Sequence, residues 1–328
     1  MDLRIGRPTE FDRGFTQGGV QKMTSKIVKL LAAAGVAGFA GWAGQASAVE
    51  LVTPYLPGNS VGIPTGALPP PGFYASDINV VINGPITNGS GNSIGANVSV
   101  YLNIPSVLWV PGLNILGATY AAAVVEPYVE QNVDLGSIGG PKSISNGMFN
   151  TIIVPLILSW NMHPFFISTG LGVYLPDGYI QTNTTAGVKH LALSDIANDY
   201  TTFEPNVAVS WLQSGWNLTA KGVIDINTKD TDTNYQSGDV FFLDFTASYA
   251  IGKWTLGAGG NWTQQFSDDT LGGVKVGSDG HRVERVLLGP LMGYNFGPAE
   301  LNAKILFTAS QQNIGASTFT YFGVSFPF

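Results

Sequence analysis

The chain has 328 residues, of which 45% are hydrophobic and 11% are charged, against about 25% charged in a typical soluble domain. It contains no cysteine, which excludes disulfides, thiol chemistry and thiolate metal sites. Residues 1–48 hold 6 of the 15 basic and 3 of the 22 acidic residues, so the rest of the chain has a net charge of −10. Such an acidic chain does not favour binding to nucleic acid.

The chain begins with a predicted secretory leader. A stretch with three lysines, 22–29, precedes an apolar run over 30–43, and the small residues 46–48 form a cleavage site. The apolar run is shorter than the roughly 20 residues that a membrane-spanning helix needs. We therefore predict a signal peptide over residues 1–48, with Met23 as an alternative translation start.

Residues 49–72 form a Pro/Gly-rich N-terminal segment. Six prolines in this stretch lack a backbone N–H, so it is not predicted to be a membrane strand. Its apolar residues, Leu51, Tyr55 and Val61 among them, could pack against the barrel wall. We expect either a periplasmic tail or a plug in the lumen of the barrel that the following residues predict, and the apolar residues favour the plug.

Residues 73–328 contain several segments in which apolar and polar residues alternate. In 216–227 the even positions are apolar and most odd positions are polar, and 241–249, 253–266 and 301–310 repeat the pattern. Side chains along a strand point to opposite faces in turn, and a tilted membrane strand needs about 9–11 residues. The alternation therefore predicts transmembrane strands whose apolar residues face lipid and whose polar residues face a wet interior.

The earlier segments are less regular. Val98, Val100, Leu102 and Ile104 alternate with polar residues, which predicts another strand of the same kind. The stretches 115–125 and 151–160 are apolar but alternate poorly, so they are predicted as strands from composition and length alone.

The C-terminus predicts the strand that closes a barrel. Its aromatic and aliphatic residues fall on one face of an extended strand: Phe322, Val324, Phe326 and Phe328. Outer-membrane barrels commonly end in this way, with the aromatic end at the membrane interface. We therefore expect the barrel-assembly machinery to be a partner during insertion, and outer-membrane lipid to surround the folded protein.

Strand lengths and connections complete the predicted fold. The twelve candidate strands are 73–84, 95–108, 113–127, 147–160, 164–176, 203–213, 215–227, 239–250, 253–266, 282–296, 298–311 and 316–328. The connections between them alternate between short turns and longer loops, such as 128–146 and 177–202, which is the pattern of outer-membrane barrels with short periplasmic turns. The prediction is an all-β fold, a transmembrane antiparallel up-and-down β-barrel of about 12 strands in the bacterial outer membrane.

Five motifs resemble a known family. In chain order they are Pro69–Tyr74, Tyr174–Tyr179, Asn227–Asp239, Gly260–Asp269 and Gly289–Tyr294. Together they resemble the outer-membrane family named for the meta-cleavage pathway of phenol degradation. The resemblance implies a barrel that passes aromatic or other small hydrophobic compounds across the outer membrane, and it implies no catalytic residue.

The lumen is where a functional site is expected. Polar residues predicted to point inward line a candidate permeant path: Glu204, Asn206, Asn217, Lys221, Asp225, Asn227, Asp244, Asn261, Gln265, Arg285 and Lys304. The alternative is a network that only satisfies interior polar groups and stiffens the barrel, because buried polar groups need partners in any protein. Pairs of opposite charge such as Lys221 with Asp244 are compatible with both.

No cofactor or metal is predicted. Asp230-Thr231-Asp232 resembles the start of a calcium loop, but the sixth and twelfth positions are Tyr235 and Phe241 instead of glycine and glutamate. This pattern favours an acidic surface turn. The three histidines are far apart and show no metal-ligand spacing.

The leading functional hypothesis is therefore a non-enzymatic channel for passive uptake of small hydrophobic or aromatic compounds. A structural or adhesive barrel whose outer loops bind a partner is an alternative. A membrane-embedded lipid hydrolase is a further alternative, for which His281 near Ser278 is the one local candidate and lacks an evident orienting group.

Overall fold

The computed structural model describes residues 53–87, 92–139, 142–180, 182–185, 188–191 and 195–328. The predicted leader, residues 1–48, lies outside these ranges. Within them, no helix is long and apolar enough to cross a membrane.

Most of the described chain forms one antiparallel sheet, whose strands we number in chain order. Twelve barrel strands occur in the described ranges, two of them interrupted: β1 (Gly72–Thr87), β2 (Ser93–Val110), β3 (Ala118–Val125 and Tyr128–Asp134), β4 (Lys142–Met148 and Ile152–Met162), β5 (Phe165–Tyr174), β6 (Thr202–Gln213), β7 (Trp216–Asn227), β8 (Val240–Ile251), β9 (Trp254–Gln265), β10 (Glu284–Asn295), β11 (Glu300–Gln312) and β12 (Thr318–Pro327). The short elements are Asn114–Ile115, Thr182–Thr185, Val188–Leu191, Tyr235–Gln236, Thr270–Leu271, Val274–Lys275 and a turn of 3-10 helix at Gly136–Ile138.

The sheet closes on itself. Each barrel strand pairs with the next along the chain, and β12 pairs with β1 from Tyr74↔Pro327 to Asn83↔Thr318. In hydrocarbon every backbone N–H and C=O must find a partner within the protein, so only a closed sheet can cross a bilayer. This confirms the predicted antiparallel barrel.

The two ends of the barrel differ. At one end β5, β7, β9 and β11 begin after tight turns, and we call this the short-turn end. At the opposite, long-loop end, Tyr235–Gln236, Thr270–Leu271 and Val274–Lys275 form a separate three-stranded sheet. Short turns face the periplasm in outer-membrane barrels.

Irregular pairing explains why two strands alternate poorly in sequence. The register of β3 with β4 shifts between Ala121 and Ala123, and that of β4 with β5 shifts between Ile153 and Leu156. An extra residue in a strand inverts the order of inward and outward side chains beyond it. The period-2 pattern is therefore broken although both segments are strands.

The prediction of a long loop at 128–146 was wrong. Tyr128–Asp134 pairs with both β2 and Lys142–Met148, which extends β3 and β4 toward the long-loop end. Polar residues such as Glu130 and Asn132 occupy this hairpin in place of a lipid-facing apolar face, so its sequence resembles that of a loop.

The outward surface of most strands is apolar and ends in aromatic residues. At the short-turn end the ring centroids of Trp216 and Tyr249 lie 5.0 Å apart, and those of Trp254 and Tyr294 lie 4.7 Å apart. Phe328 is 69% exposed, and its N–H donates to the carbonyl oxygen of Phe73 at 3.0 Å. Phe322 and Phe326 also point outward and are exposed, whereas Val324 is half-buried. These rings suit the aromatic belt of a membrane interface.

The faces of β2 are reversed relative to the prediction, and β1 also turns its apolar residues inward. Val80 is 0% exposed and Ile104 is 7% exposed, and both pack inside the barrel with Leu306 and Tyr321. The polar residues that alternate with them therefore point outward. The rule that apolar residues face lipid gave the wrong orientation for this part of the wall.

Candidate functional site: the lumen and its N-terminal segment

Residues 53–71, which we call the N-terminal segment, pass through the barrel lumen. The N–H of Tyr55 donates to Asp225 Oδ2 at 3.0 Å, close to the long-loop end of β7. The N–H of Gly66 donates to Ser210 Oγ at 2.9 Å, close to the short-turn end of β6. The segment thus runs from the long-loop side down to the start of β1.

A series of tight turns keeps the segment compact. The N–H of Asn59 donates to the carbonyl of Leu56 at 3.0 Å, and the N–H of Val61 donates to that of Gly58 at 3.1 Å. Gly58 has a φ of 86°, and a Cβ on it would lie 2.4 Å from Leu306 Cδ1. Glycine is therefore needed at position 58 both for its left-handed backbone and for the close approach to the wall.

One carboxylate on β8 holds most of these turns. Asp244 Oδ2 accepts from Tyr55 Oη at 2.7 Å, from Ser60 Oγ at 2.7 Å and from the Ser60 N–H at 3.0 Å. Its Oδ1 accepts from the Gly58 N–H at 2.9 Å and from Asn261 Nδ2 at 2.7 Å. Charge-assisted bonds of this length are the stronger class of hydrogen bond. Asp244 is thus the main anchor of the segment.

The opposite wall binds the carbonyl groups of the same turns. Lys304 Nζ on β11 donates to the carbonyls of Asn59 at 2.8 Å and Val61 at 2.7 Å. Tyr321 Oη on β12 donates to the carbonyl of Pro57 at 2.6 Å. In these turns the N–H groups of Tyr55, Gly58 and Ser60 therefore bond to acceptors on β7 and β8. The carbonyl groups of Pro57, Asn59 and Val61 bond to donors on β11 and β12.

The short-turn half of the segment is held by hydroxyl groups. Gly62 N–H donates to Thr246 Oγ1 at 2.8 Å. Ser159 Oγ donates to the Gly66 carbonyl at 2.7 Å, and Ser168 Oγ donates to the Thr65 carbonyl at 2.8 Å. Neutral bonds of this kind are weaker than those at Asp244.

Six of the eleven predicted lumen residues contact this assembly. Asn217, Asp225, Asp244 and Lys304 form hydrogen bonds with the segment, and Asn261 supports Asp244. Lys221 Nζ lies 5.6 Å from the centroid of the Tyr55 ring.

The other five point inward but make different contacts. Glu204 Oε2 accepts from Tyr174 Oη at 2.7 Å, and Asn206 Nδ2 lies 3.4 Å from the Glu204 carbonyl oxygen. Asn227 and Gln265 bind Gly238 and Ser267 of the long loops. The guanidinium of Arg285 lies 4.8 Å from the centroid of the Phe319 ring.

Lys221 and Asp244 are cross-strand partners, but they do not form the ion pair considered above. Within the described ranges, ion pairs of 4.0 Å or less occur at the long-loop end: Lys142–Asp134, Lys275–Asp268 and Arg282–Asp268. The carboxylate of Asp244 is instead fully engaged by the N-terminal segment and Asn261.

The sequence prediction missed an apolar strip inside the barrel. Val80, Ile104, Leu287, Leu306 and Phe319 are at most 7% exposed and cluster around Val61 of the segment. The alternating sequences of β1 and β2 do contain an apolar face. Only the assembled barrel shows that this face points into the lumen.

The long-loop end of the lumen is narrowed by residues 195–200. Ile196 and Ala197 are buried against Val129 and Tyr174 of the wall. The side chain of Asn150 fixes this loop, since its Nδ2 donates to the Asn198 carbonyl at 2.8 Å and its Oδ1 accepts from the Asn198 N–H at 2.8 Å.

The outer three-stranded sheet is fastened by Asp269. This buried carboxylate accepts from the Gly238 N–H at 2.7 Å, from Gln265 Nε2 at 2.7 Å and from Tyr235 Oη. Burial raises the pKa of Asp269 to about 6, although these hydrogen bonds oppose the shift. The hydrogen bond from Arg282 is the main cause that lowers the pKa of the neighbouring Asp268.

The acidic loop residues are used in local turns. Asp230 Oδ1 accepts from the N–H groups of Asp232 at 2.7 Å and Thr233 at 3.1 Å. In the part of the chain that the structure describes, no group of three or more His, Asp or Glu side chains could hold a metal ion. The N–H of His281 donates to Asp279 Oδ1 at 3.1 Å in another outer loop.

Comparison with known proteins shows the family of this barrel. The family described as "MetA-pathway of phenol degradation" matches residues 82–323. The chain belongs to this family. A search of curated proteins found no match.

Solved structures support the same fold. An outer membrane channel from Pseudomonas putida F1 superposes with a TM-score of 0.67 at 13% identity, covering 84% of this chain and 100% of that chain. At this identity the likeness shows the fold alone, and with the closed barrel it places the family member in the bacterial outer membrane.

Two further barrels are less similar. The beta domain of the Bordetella autotransporter BrkA has a TM-score of 0.44 at 14% identity, covering 78% of this chain and 99% of that one. The toluene transporter TbuX of Ralstonia pickettii has a TM-score of 0.42 at 12% identity, covering 80% and 91%. TM-scores below 0.5 support no inference about function.

Proposed function

We propose that this protein is a passive outer-membrane channel for small hydrophobic or aromatic compounds, and that the N-terminal segment must move for the lumen to conduct. The proposal has no catalytic step and no cofactor. The observation that carries it is a lumen with an apolar strip on one side and hydrogen-bond acceptors on the other, crossed by a segment that is not part of the sheet.

The size of the barrel supports a narrow path. Eight strands leave an interior that side chains fill or that holds one small ligand, and sixteen leave a water-filled channel. Twelve strands lie between these cases. Removing the N-terminal segment from the lumen would leave a passage between the two walls.

The lining supports an apolar permeant that also carries a polar group. Leu287, Leu306 and Phe319 offer apolar contact on one side, and they are the surface on which Val61 now packs. Asp244 and Thr246 on the other side now bind segment N–H groups and would offer acceptors to a permeant. A ligand site of this kind, mostly apolar with a few placed polar groups, fits a small aromatic molecule.

Family membership supports the aromatic class. The name of the family refers to phenol degradation. The similar barrel from Pseudomonas putida F1 is described as an outer membrane channel.

Influx into proteoliposomes tests the proposal. The vesicles should carry lipopolysaccharide in the outer leaflet, which slows unassisted entry, and radiolabelled benzyl alcohol is a suitable probe. We expect faster influx into vesicles with the purified protein than into vesicles without it. Equal influx in the two would overturn the proposal.

The hydrolase alternative has a separate test. If the protein were a lipid hydrolase that uses His281, the His281→Ala variant would lose activity toward a short-chain ester. We expect neither the unaltered protein nor the variant to hydrolyse the ester faster than buffer.

A further inference from the structure

Strands β1 and β2 carry a set of polar residues on their outer surface. Asp77 and Asn79 follow the exposed Phe73 at even spacing on β1, so the three side chains share one face. Tyr101 and Asn103 share the outer face of β2 with Trp109, which is 43% exposed. We call Asp77, Asn79, Tyr101 and Asn103 the polar quartet.

The quartet forms its own hydrogen-bond ladder. Tyr101 Oη donates to Asn79 Oδ1 at 2.5 Å. Asn103 Nδ2 donates to Asp77 Oδ1 at 2.7 Å and to Asn79 Oδ1 at 3.2 Å. These bonds fix the side chains flat along the outside of the wall.

The quartet lies at the depth of the hydrocarbon. A strand rises about 3.3 Å per residue and tilts about 40°, so each residue rises roughly 2.5 Å along the membrane normal. The aromatic rings of Phe73, Trp109 and Phe328 mark the periplasmic interface. Asp77 and Asn79, four and six residues beyond Phe73, then lie about 10 and 15 Å into an apolar band that is about 25 Å tall.

Contact between the polar quartet and lipid acyl chains is energetically unfavourable. Polar and ionisable side chains at this depth are costly against acyl chains, and most of the wall avoids them. On β7, for comparison, the outward residues include Leu218 and Ile226, which are 42% and 44% exposed. The polar outer face of β1 and β2 would therefore be more stable in contact with another protein surface than with acyl chains.

We propose that this face binds the same face of a second copy of the chain, giving a two-fold dimer in the membrane. Within the described chain, the ladder leaves a donor, Asn79 Nδ2, and two acceptors, Asn103 Oδ1 and Asp77 Oδ2, without a hydrogen bond. Amide side chains carry both donors and acceptors, so a face that holds both is complementary to itself. A two-fold axis brings identical patches together and satisfies each donor with the partner's acceptor.

Lipopolysaccharide does not fit this surface as well. Its sugar and phosphate groups lie at the outer surface of the bilayer, whereas Asp77 lies about 10 Å from the periplasmic interface by the rise of the strand. The acyl chains that reach this depth offer no hydrogen-bonding groups.

Cysteine cross-linking tests the dimer, because the chain has no native cysteine. Val81 lies on the outer face beside the quartet and is 38% exposed, and Val209 on β6 is 42% exposed on the far side of the barrel. Outer membranes that contain Val81→Cys or the control Val209→Cys are treated with a flexible bis-maleimide. We expect a product of twice the single-chain mass for Val81→Cys and little for Val209→Cys.

A second variant keeps the test independent of cysteine placement. The triple variant Asp77→Leu, Asn79→Leu and Asn103→Leu makes the face apolar, and we expect a monomer mass for it in native-lipid nanodiscs where the unaltered protein has a dimer mass. A monomer mass for the unaltered protein, or equal cross-linking at positions 81 and 209, would overturn the proposal. A Val81→Cys product that contains a different protein would also overturn it.

Discussion

The anchor residue Asp244 allows a quantitative test of how firmly the N-terminal segment is held. The Asp244→Ala variant removes four hydrogen bonds to the segment, from Tyr55 Oη, Gly58 N–H, Ser60 N–H and Ser60 Oγ. A hydrogen bond to a charged group contributes about 1.5–3 kcal/mol, so four would sum to roughly 6–12 kcal/mol if every donor stayed buried.

The expected loss is smaller, because an undocked segment is hydrated again. We expect the free energy that holds the segment in the lumen to fall by about 2–4 kcal/mol, which corresponds to a change of about 30- to 700-fold in the population of the undocked state. The Asp244→Asn variant keeps one acceptor oxygen and should fall between Asp244→Ala and the unaltered protein.

A single cysteine at position 59 reports on the undocked state. The backbone carbonyl of Asn59 binds Lys304, whereas its side-chain Oδ1 is buried without a hydrogen-bond partner, so Asn59→Cys keeps the hydrogen bond that residue 59 makes to the wall. The rate of reaction with a hydrophilic maleimide should rise by the factor given above when Asp244→Ala is added. Asp232→Ala, at an exposed acidic position of an outer loop, is the matched control and should leave the rate unchanged.

Equal labelling rates for Asn59→Cys with and without Asp244→Ala would refute the reasoning. The heat-dependent gel mobility of each variant shows that its barrel is folded, so a change in the wall would not be mistaken for undocking.

Three further predictions concern the wall, the C-terminus and the outer sheet. Ile305→Lys places a charge on the lipid face in the middle of β11 and should destabilise the folded barrel in liposomes by about 2–4 kcal/mol. Phe296→Lys at the short-turn end should destabilise it by at most about 1 kcal/mol. Equal losses of stability would contradict the assigned lipid face. Removal of Phe328, whose N–H donates to the Phe73 carbonyl and whose ring centroid lies 5.9 Å from that of Phe73, should lower the fraction of folded protein recovered from outer membranes. Recovery equal to that of the full chain would contradict a role in closure. Because Asp269 has a pKa raised to about 6, the folded state holds its proton more tightly than the unfolded chain, so its contribution to stability is greatest below about pH 4 and is lost as the pH rises through 6. Hydrogen exchange of the outer sheet should therefore speed up over this range in the unaltered protein and change less in Asp269→Asn; parallel profiles would contradict the assignment.

The barrel could be predicted from sequence because lipid imposes a strict pattern on the strands that face it. β7 to β9 alternate over most of their length, and the C-terminal Phe322, Phe326 and Phe328 point outward as expected. The apolar run 30–43 and the rest of the predicted leader lie outside the described residues and stay a prediction.

The orientation of β2 could not be predicted, because alternation gives two faces but does not say which is inside. The rule for membrane strands turns the apolar face toward lipid, whereas Ile104 of β2 lies inside and packs with Val80 of β1 near Val61 of the N-terminal segment. Val61 of the segment and the wall residues Leu306 and Tyr321 give these apolar residues their partners inside the lumen.

The role of Asp244 was also hidden in the sequence. It is one of several inward polar residues, and its partners Tyr55, Gly58 and Ser60 are more than 180 residues away along the chain. Proline and glycine content marked residues 49–72 as irregular, but the wall that holds this stretch is set by the closure of the barrel.

The claim that solutes pass through the lumen can be tested with one reversible block. On β11 the side chain of Asn302 faces the lumen and that of its neighbour Ala303 faces the membrane. The two variants Asn302→Cys and Ala303→Cys therefore place a thiol on either side of the wall. After each variant is labelled with a bulky thiosulfonate, we expect aromatic influx into lipopolysaccharide-containing vesicles to fall for Asn302→Cys, to recover on reduction, and to stay unchanged for Ala303→Cys. Undiminished influx through fully labelled Asn302→Cys would contradict the lumen as the route.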